Sequence, residues 1–316
     1  MEYRKLGRTE IAASAFGFGC NRIAESSAPA DRREVEATLL EAFERGVNLY
    51  DTANCYDGGE SEILLGKVLR AHRSQVILCS KVGAKKWSAV LHERWSDPLR
   101  FRLRSRGHQI PPSRGEGGPR RASWNFAPRF LELAIAGSLR RLGTDYIDLL
   151  YLHGPPPRVL QAPGVFEKLE DLRQRGWIRW YGVSFRTRMT TTEILTALER
   201  FPGIAVAQVL IHPRASIDLD RVAAATRGRG TAIIANQPFR KGALLADRDL
   251  EVPEGAASGR TRSQTLLRFV LQSRGVTTVL VGMRNRAHLR ENLAALDAPA
   301  LNEEEMRMLC SSTEIR

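Results

Sequence analysis

The chain has 316 residues, of which 43% are hydrophobic and 26% are charged. This mixture is typical of globular proteins, and it excludes collagen-like, fibrous and wholly disordered chains. The 48 basic and 35 acidic side chains give a net charge of +13, mostly through arginine. A positive field favours anionic partners such as phosphorylated cofactors, acidic substrates or nucleic acid, although an arginine-rich genome would leave the same composition.

Cysteine usage and hydropathy predict a cytoplasmic protein without a structural metal. Cys20, Cys55, Cys79 and Cys310 form no C-x-x-C pair, which favours a reducing compartment over a disulfide framework. The amino terminus is charged and lacks the apolar centre of a signal peptide. No run approaches the 18 apolar residues of a membrane span, so no membrane partner is expected.

The chain begins with two short apolar segments, residues 3–6 and 11–13, which are separated by Gly7-Arg8-Thr9. This pattern predicts a β-hairpin within residues 1–14. Eight apolar runs rich in Val, Ile and Leu follow, and their nearly continuous character is typical of strands buried on both faces. The predicted strands are 16–19, 47–50, 76–79, 147–152, 178–183, 206–210, 232–235 and 278–281.

An amphipathic helical pattern follows each predicted strand. The first, residues 31–45, opens with an acidic residue and ends at Gly46, a common stop at helix C-termini. The other seven are 59–70, 127–141, 165–175, 192–200, 219–227, 262–273 and 286–296. A last helical pattern, residues 303–310, is additional to these eight.

Eight strand–helix units predict an α/β fold, a (β/α)8 TIM barrel. We expect one domain over residues 1–316, with the N-terminal β-hairpin as a plug at one end and a C-terminal extra helix. A doubly wound open sheet is the competing fold, but it does not need eight units. No strong phosphate-loop signature marks its first crossover, because Gly17-x-Gly19 lacks the dinucleotide spacing and is interpreted as a tight turn at the barrel rim.

A long irregular segment, residues 84–127, follows the third strand and is rich in Arg, Gly, Pro and Ser. A connection of this length is either functional or disordered. It is interpreted as a lid over a substrate pocket, with Trp87, Trp95 or Trp124 as apolar walls, as a solvated insertion, or as a polyanion-binding arm. Its position beside the third strand favours the lid, and no nucleic-acid-binding signature accompanies the arginines.

Four ionisable residues follow predicted strands at the end where barrel enzymes carry their active sites. Asp51 and Tyr56 follow the second strand, Lys81 the third and His153 the fourth. Taken singly, Asp51 could cap a loop, Tyr56 could be a rim residue and His153 a buried structural histidine. Their combination on one rim favours a catalytic site.

These four side chains suit the protonation of a carbonyl oxygen. A phenol has an ordinary pKa of about 10, which is too high for efficient proton transfer near neutrality, and a neighbouring ammonium would lower it. A carboxylate would hold the Lys81 side chain, and the His153 side chain could hydrogen-bond the reacting oxygen. Because no side chain supplies a hydride, a nicotinamide cofactor is expected.

Two motifs resemble the aldo-keto reductase superfamily. One is Asp51-Thr52-Ala53-x-x-Tyr56 followed by Gly59-Glu60-Ser61-Glu62 and Leu65-Gly66. The other is Ser138-Leu139-x-Arg141-Leu142-Gly143-Thr144-Asp145-Tyr146-Ile147-Asp148-Leu149-Leu150, which leads to His153. The resemblance runs nearly end to end. It implies that Asp51, Tyr56, Lys81 and His153 form a catalytic tetrad with Tyr56 as the general acid/base. It also implies NADP(H) bound across the carboxyl end of the barrel, without a Rossmann fold and without a metal.

The resemblance also implies cofactor contacts. Ser184 and Gln208 match the side chains that hold the nicotinamide amide, and Arg284 could pair with a 2′-phosphate through its guanidinium fork. Two positions depart from the pattern: Phe185 stands where many relatives have Asn, and Asn236 where several branches have an aromatic ring. The full implied cofactor set is Ser184, Gln208, Pro238, Phe239, Arg240, Gly242, Leu244, Gly282, Arg284, Glu291 and Asn292.

The leading hypothesis is an NADP(H)-dependent oxidoreductase that interconverts a small-molecule carbonyl and an alcohol. The alternatives are an NAD(P)-dependent sugar or hydroxy-compound dehydrogenase and a non-catalytic NADPH-binding regulatory subunit. Trp87, Arg22 and Trp124 are the candidate substrate-pocket residues. The sequence indicates neither the substrate nor the oligomeric state.

Overall fold

The computed structural model describes residues 1–26, 28–85, 123–186, 189–253, 255 and 259–311. In chain order its strands are β1 (Tyr3–Lys5), β2 (Ala12–Ser14), β3 (Phe16–Gly19), β4 (Leu49–Asp51), β5 (Ile77–Val82), β6 (Ala84–Lys85), β7 (Ser123–Trp124), β8 (Ile147–His153), β9 (Ile178–Ser184), β10 (Val206–Leu210), β11 (Ala232–Asn236) and β12 (Val276–Gly282). Its helices are α1 (Pro29–Glu44), α2 (Glu60–Leu69), α3 (Pro128–Leu142), α4 (Pro163–Gln174), α5 (Thr191–Arg200), α6 (Leu219–Arg229), α7 (Ala243–Ala246), α8 (Arg262–Gln272), α9 (Arg286–Ala294) and α10 (Glu303–Ser311).

Eight of these strands, β3 to β5 and β8 to β12, run parallel and close into a barrel in chain order. Closure joins β12 to β3, where Leu280 lies opposite Gly17. At least one helix follows each barrel strand and returns the chain to the other end of the barrel. The predicted (β/α)8 barrel and the additional last helix, α10, are confirmed.

Local sequence signals explain where the helices begin. Pro29, Pro128 and Pro163 stand at the first position of α1, α3 and α4, where a missing N–H costs nothing. Thr190 and Thr261 form capping boxes at the start of α5 and α8. The sequence pattern placed the start of α1 two residues late because it was judged from the acidic residue rather than from the proline.

The hairpin of β1 and β2 closes the amino-terminal end of the barrel, as predicted. The Arg8 backbone N–H donates to the Gly230 carbonyl at 2.7 Å, which attaches the turn of the hairpin to the residue that directly follows α6. Leu6 and Ile11 of the hairpin pack with apolar side chains of the barrel interior, including Leu49 and Ile234. These side chains fill the amino-terminal end of the barrel interior and leave the carboxyl end for a ligand.

Gly17 corrects one expectation from the sequence. It lies inside β3 rather than in a turn at the rim. A Cβ atom at this position would come within 2.8 Å of the side chains of Leu280 and Leu49, so the packed barrel interior requires glycine there.

The irregular segment 84–127 is described only at its two ends. There, β6 and β7 pair antiparallel, with Ala84 opposite Trp124, directly after β5. Gly83 has a φ of 107°, and a Cβ on it would lie 2.0 Å from the ring of Phe126. Residues 86–122, including Trp87 and Trp95, lie outside the described residues.

Within the part of the chain that the structure describes, none of the helices has the length and the apolar character of a membrane span.

Candidate active site

The four predicted ionisable residues meet at the carboxyl end of the barrel. Asp51 ends β4, Lys81 lies near the end of β5, and His153 ends β8. Tyr56 opens a short 3-10 turn that leads from β4 into α2. Asp51 and Lys81 are buried, whereas Tyr56 and His153 are partly exposed. The arrangement therefore has a closed, charged floor and two rings at its entrance.

A buried ion pair forms this floor. The Lys81 ammonium donates to Asp51 Oδ1 and, at 2.9 Å, to the carbonyl of Thr52. Burial acts to lower the pKa of Lys81, but the charge of Asp51 and the interaction with Tyr56 act more strongly together, and the net pKa is raised. Lys81 is therefore an ammonium at any physiological pH, held in place by a carboxylate.

The rings of Tyr56 and His153 lie next to this ammonium. Lys81 Nζ is 4.9 Å from the centroid of the Tyr56 ring. The Tyr56 and His153 rings meet edge to face, with centroids 5.8 Å apart and an interplanar angle of 85°. The structure thus brings together the ammonium, the phenol and the imidazole that the sequence placed on one rim.

The pKa of Tyr56 differs from the expectation. Desolvation raises it to about 12, and the Lys81 charge offsets only part of that increase. Lys81 acts in the expected direction, but loss of hydration is the larger effect. The phenol is consequently protonated near neutrality, so it is suited to donate a proton rather than to accept one.

His153 is neutral for the same reason. Burial, and secondly the charge of Lys81, lower its pKa to about 3. Its Nδ1 lies 3.6 Å from the sulfur of Cys55. A neutral imidazole can donate one hydrogen bond without adding a second positive charge to the site.

Amide and hydroxyl groups continue the site along β9, β10 and β11. Ser184 Oγ donates to Gln208 Oε1 at 2.6 Å, and Gln208 Nε2 donates to Asp51 Oδ2 at 2.9 Å. Asn236 Nδ2 lies 3.3 Å from the same Gln208 oxygen. Phe185 is buried in the main hydrophobic core, so it offers the site no polar atom. The two implied amide-binding residues, Ser184 and Gln208, thus lie directly beside the ion pair.

The predicted pyrophosphate segment follows β11 as a tight turn. Gln237, Arg240, Lys241 and Gly242 all have positive φ, and residues Arg240–Gly242 form one 3-10 turn. Pro238 and Phe239 lie within this turn region. The Leu244 side chain is fully buried, and its carbonyl accepts a hydrogen bond from Arg262 Nε at 3.0 Å, which attaches the turn to α8.

The predicted adenosine end divides into exposed and engaged residues. Gly282, the last residue of β12, and Arg284, two residues later, are exposed, and Arg284 lies 3.4 Å from a carboxylate oxygen of Glu25. Glu291 accepts from Ser263 Oγ at 2.5 Å, while Asn292 is buried. Gly282 and Arg284 are therefore open to a ligand, whereas Glu291 is engaged by Ser263 and Asn292 is covered.

Two of the three predicted substrate-pocket residues are described. Arg22 is exposed after β3 and pairs with Glu25 at 2.5 Å. Trp124 is 42% exposed on β7, with the Arg186 guanidinium 4.8 Å from its ring centroid. Trp87 lies outside the described residues. Both described residues lie at the carboxyl rim, where their contacts are with Glu25 and Arg186.

Glu62 and Arg141 belong to the site's framework, although the sequence pattern assigned them no role. Glu62 is fully buried and accepts from Ser80 Oγ at 2.6 Å and from Arg141 Nε at 2.7 Å. Glu62 therefore connects the start of α2 to β5, next to Lys81, and to α3. The turn that begins with Tyr56 leads directly into this part of α2. Both residues lie inside the two motifs that resemble the family, and this position is the signal by which the sequence could have identified them.

Comparison with known proteins identifies the family. The model of the aldo/keto reductase family matches residues 15–314. An uncharacterized oxidoreductase of Bacillus subtilis is 27% identical, with 99% of this chain and 97% of the relative covered. The holo form of an aldo-keto reductase from Bacillus halodurans superposes with a TM-score of 0.74 at 25% identity, covering 99% of this chain and 97% of that one.

An aldo/keto reductase from Klebsiella pneumoniae, solved in complex with NADP and acetate, superposes with a TM-score of 0.70 at 27% identity, covering 95% of this chain and 91% of that one. The barrel, the four residues at its carboxyl end and the match over nearly the whole sequence agree with one another. The chain belongs to the aldo/keto reductase family.

Proposed function

We propose that this protein is an NADP(H)-dependent oxidoreductase that reduces a small-molecule carbonyl to an alcohol, with Tyr56 as the proton donor. The observation that carries the proposal is the position of the protonated Tyr56 phenol beside the buried Lys81 ammonium and the neutral His153 ring. The NADP complex of the Klebsiella pneumoniae relative supports the choice of cofactor.

The described residues fit a nicotinamide cofactor. Ser184 and Gln208 would hold the carboxamide, because their polar side chains lie at the strand ends next to the ion pair. Arg284 is exposed and would take a 2′-phosphate, since a guanidinium binds phosphate through two hydrogen bonds. When bound, the nicotinamide supplies the hydride that no side chain can supply.

The chain's own residues divide the remaining work. Asp51 fixes the Lys81 ammonium, and the ammonium stabilises negative charge at the Tyr56 oxygen once its proton has left. His153 would direct a hydrogen bond at the substrate oxygen while it gains charge. Near neutrality the Tyr56 phenol is protonated, which is the form that donates in the direction of reduction, and the Lys81 ammonium beside it would offset the weak acidity of the phenol.

The test is the Tyr56→Phe variant assayed with NADPH and a panel of aldehydes and ketones. Loss of the proton donor should lower kcat/KM by about 100-fold to 10,000-fold. Binding of NADPH, measured by calorimetry, should change little because the ring is retained. Full turnover by this variant would disprove the assignment of Tyr56.

The same assays separate the alternative functions. Turnover only with NAD⁺ and an alcohol or sugar would favour the dehydrogenase. Tight binding of NADPH without turnover of any carbonyl would favour a regulatory subunit. Neither alternative has an observation of its own among the described residues, whereas the protonated phenol favours reduction.

A further inference from the structure

Asn236, the last residue of β11, carries a buried side-chain oxygen that has no hydrogen-bond partner among the described residues. A buried polar atom without a hydrogen bond destabilises the fold, so such atoms usually bind a water or a ligand. The same side chain donates through Nδ2 to Gln208 Oε1, which connects it to the network of Ser184, Gln208 and Asp51. It therefore lies at the proposed site rather than at random in the core.

Strand register places Asn236 on the same inner face as the other polar residues. His153 pairs with Ser184 across β8 and β9, and Ser184 pairs with Gln208 across β9 and β10. Gln208 pairs with Ile234 on β11. Asn236 comes two residues after Ile234, and residues two apart in a strand share a face.

The network fixes the orientation of both amides. Ionised Asp51 can only accept hydrogen bonds, so the Gln208 group that faces it must be the NH₂. Gln208 therefore presents its oxygen to Ser184 and to Asn236. That oxygen can only accept, so Asn236 must present its NH₂ to it, and the partnerless atom of Asn236 is the oxygen.

We propose that Asn236 Oδ1 accepts a hydrogen bond from the carboxamide N–H of the bound nicotinamide, which makes Asn236 a further cofactor ligand on β11. This inference rests on the proposed function. A carboxamide has one accepting oxygen and two N–H donors, and an oxygen acceptor is what Asn236 offers. Retained water at Asn236 is the competing explanation, because buried waters commonly satisfy such atoms.

The experiment compares NADP⁺ with its 3-acetylpyridine analogue, in which a methyl group replaces the carboxamide NH₂. Binding of both to the wild type and to Asn236→Leu is measured by calorimetry. Wild type should bind the analogue more weakly than NADP⁺, and Asn236→Leu should reduce that discrimination by about threefold to tenfold, the equivalent of one hydrogen bond. Asn302→Leu, an exposed position before α10, is the matched control and should keep the wild-type ratio.

The ratio of two affinities separates a ligand from a residue that only supports the fold. If Asn236 were merely structural or held only a water, the variant would bind both cofactors more weakly by the same factor. The ratio of the two affinities would then stay unchanged, and this result would overturn the inference. Thermal melting of Asn236→Leu and Asn236→Ala identifies a variant that fails to fold, and the variant that folds is then used. If the wild type bound neither NADP⁺ nor NADPH, the proposed function would be wrong. If the wild type bound the cofactor and was active, but the variant kept the wild-type ratio of affinities, only the role of Asn236 would be wrong.

Discussion

At neutral pH the site combines a neutral phenol, a neutral imidazole and a charged Lys81–Asp51 pair. Desolvation accounts for the first two: it raises the pKa of Tyr56 to about 12 and lowers the pKa of His153 to about 3. Both shifts disfavour the charged form of a ring that has lost hydration. The two directions of the proposed reaction should therefore respond differently to pH.

Reduction needs the protonated phenol, and this form dominates at every pH well below 12. We therefore expect that titration of Tyr56 does not change kcat/KM for carbonyl reduction between about pH 6 and pH 9. Oxidation of the alcohol needs the phenolate, whose fraction rises about tenfold per pH unit in this range. Initial rates in both directions test this, and an oxidation rate independent of pH under conditions where chemistry limits turnover would contradict it.

Arg284 provides a second prediction for a single residue. It is exposed and forms a long ion pair with Glu25, at 3.4 Å, and exposed pairs contribute little. We expect Arg284→Ala to weaken NADPH binding by about tenfold, because a charged hydrogen bond to a 2′-phosphate is lost, and to leave NADH binding nearly unchanged.

Two variants control this measurement. Glu25→Gln removes the competing carboxylate and should strengthen NADPH binding, in the direction opposite to Arg284→Ala. Arg274→Ala removes an exposed arginine that lies before β12, at the other end of the barrel, and should have no specific effect. Equal losses of NADPH and NADH affinity in Arg284→Ala would refute the 2′-phosphate role.

At the scale of elements, the active site depends on how α2 and α3 are fastened to β5. The buried Glu62 carboxylate joins Ser80, next to Lys81, to Arg141 of α3. A buried ion pair adds little net stability, but removal of one partner leaves an uncompensated charge. Arg141, together with Ser80, therefore holds the start of α2 beside β5.

We expect Arg141→Met to lower the free energy of unfolding by about 3–5 kcal/mol, since Glu62 would remain buried without its cation. Urea denaturation measures this change. Arg140→Met is the matched control, because Arg140 is exposed on the same helix and should change stability by less than about 0.5 kcal/mol. Similar losses in both variants would mean that the helix, and not the buried pair, determines the effect.

At the scale of the whole molecule, parallel strands explain why distant residues form one site. All eight barrel strands point the same way, so residues that follow different strands meet at one rim. Strand ends could be recognised from apolar runs, and this was enough to place Asp51, Tyr56, Lys81 and His153 together. The hairpin plug, which blocks the other end, was also readable from local pattern. That residues 1–316 form one domain stays a prediction.

Other features could not be predicted because they depend on contacts between residues far apart in the chain. Gln208 reaches Asp51 across 157 positions, and Arg141 reaches Glu62 across 79. Gly17 was assigned to a turn because a sequence does not reveal that Leu49 and Leu280 leave no room for a side chain there. The interpretations of residues 86–122 remain those drawn from composition.

The sequence by itself determined the order of the eight barrel strands and the helices that alternate with them, the family, and which ionisable groups share the barrel's carboxyl end. These properties follow from local apolar periodicity and from motifs within short segments. Only the tertiary structure decided the protonation of Tyr56 and the position of the Asn236 oxygen. Both depend on which groups lose water and which partners they meet when distant strands close into a barrel, and neither quantity is defined until the chain is folded.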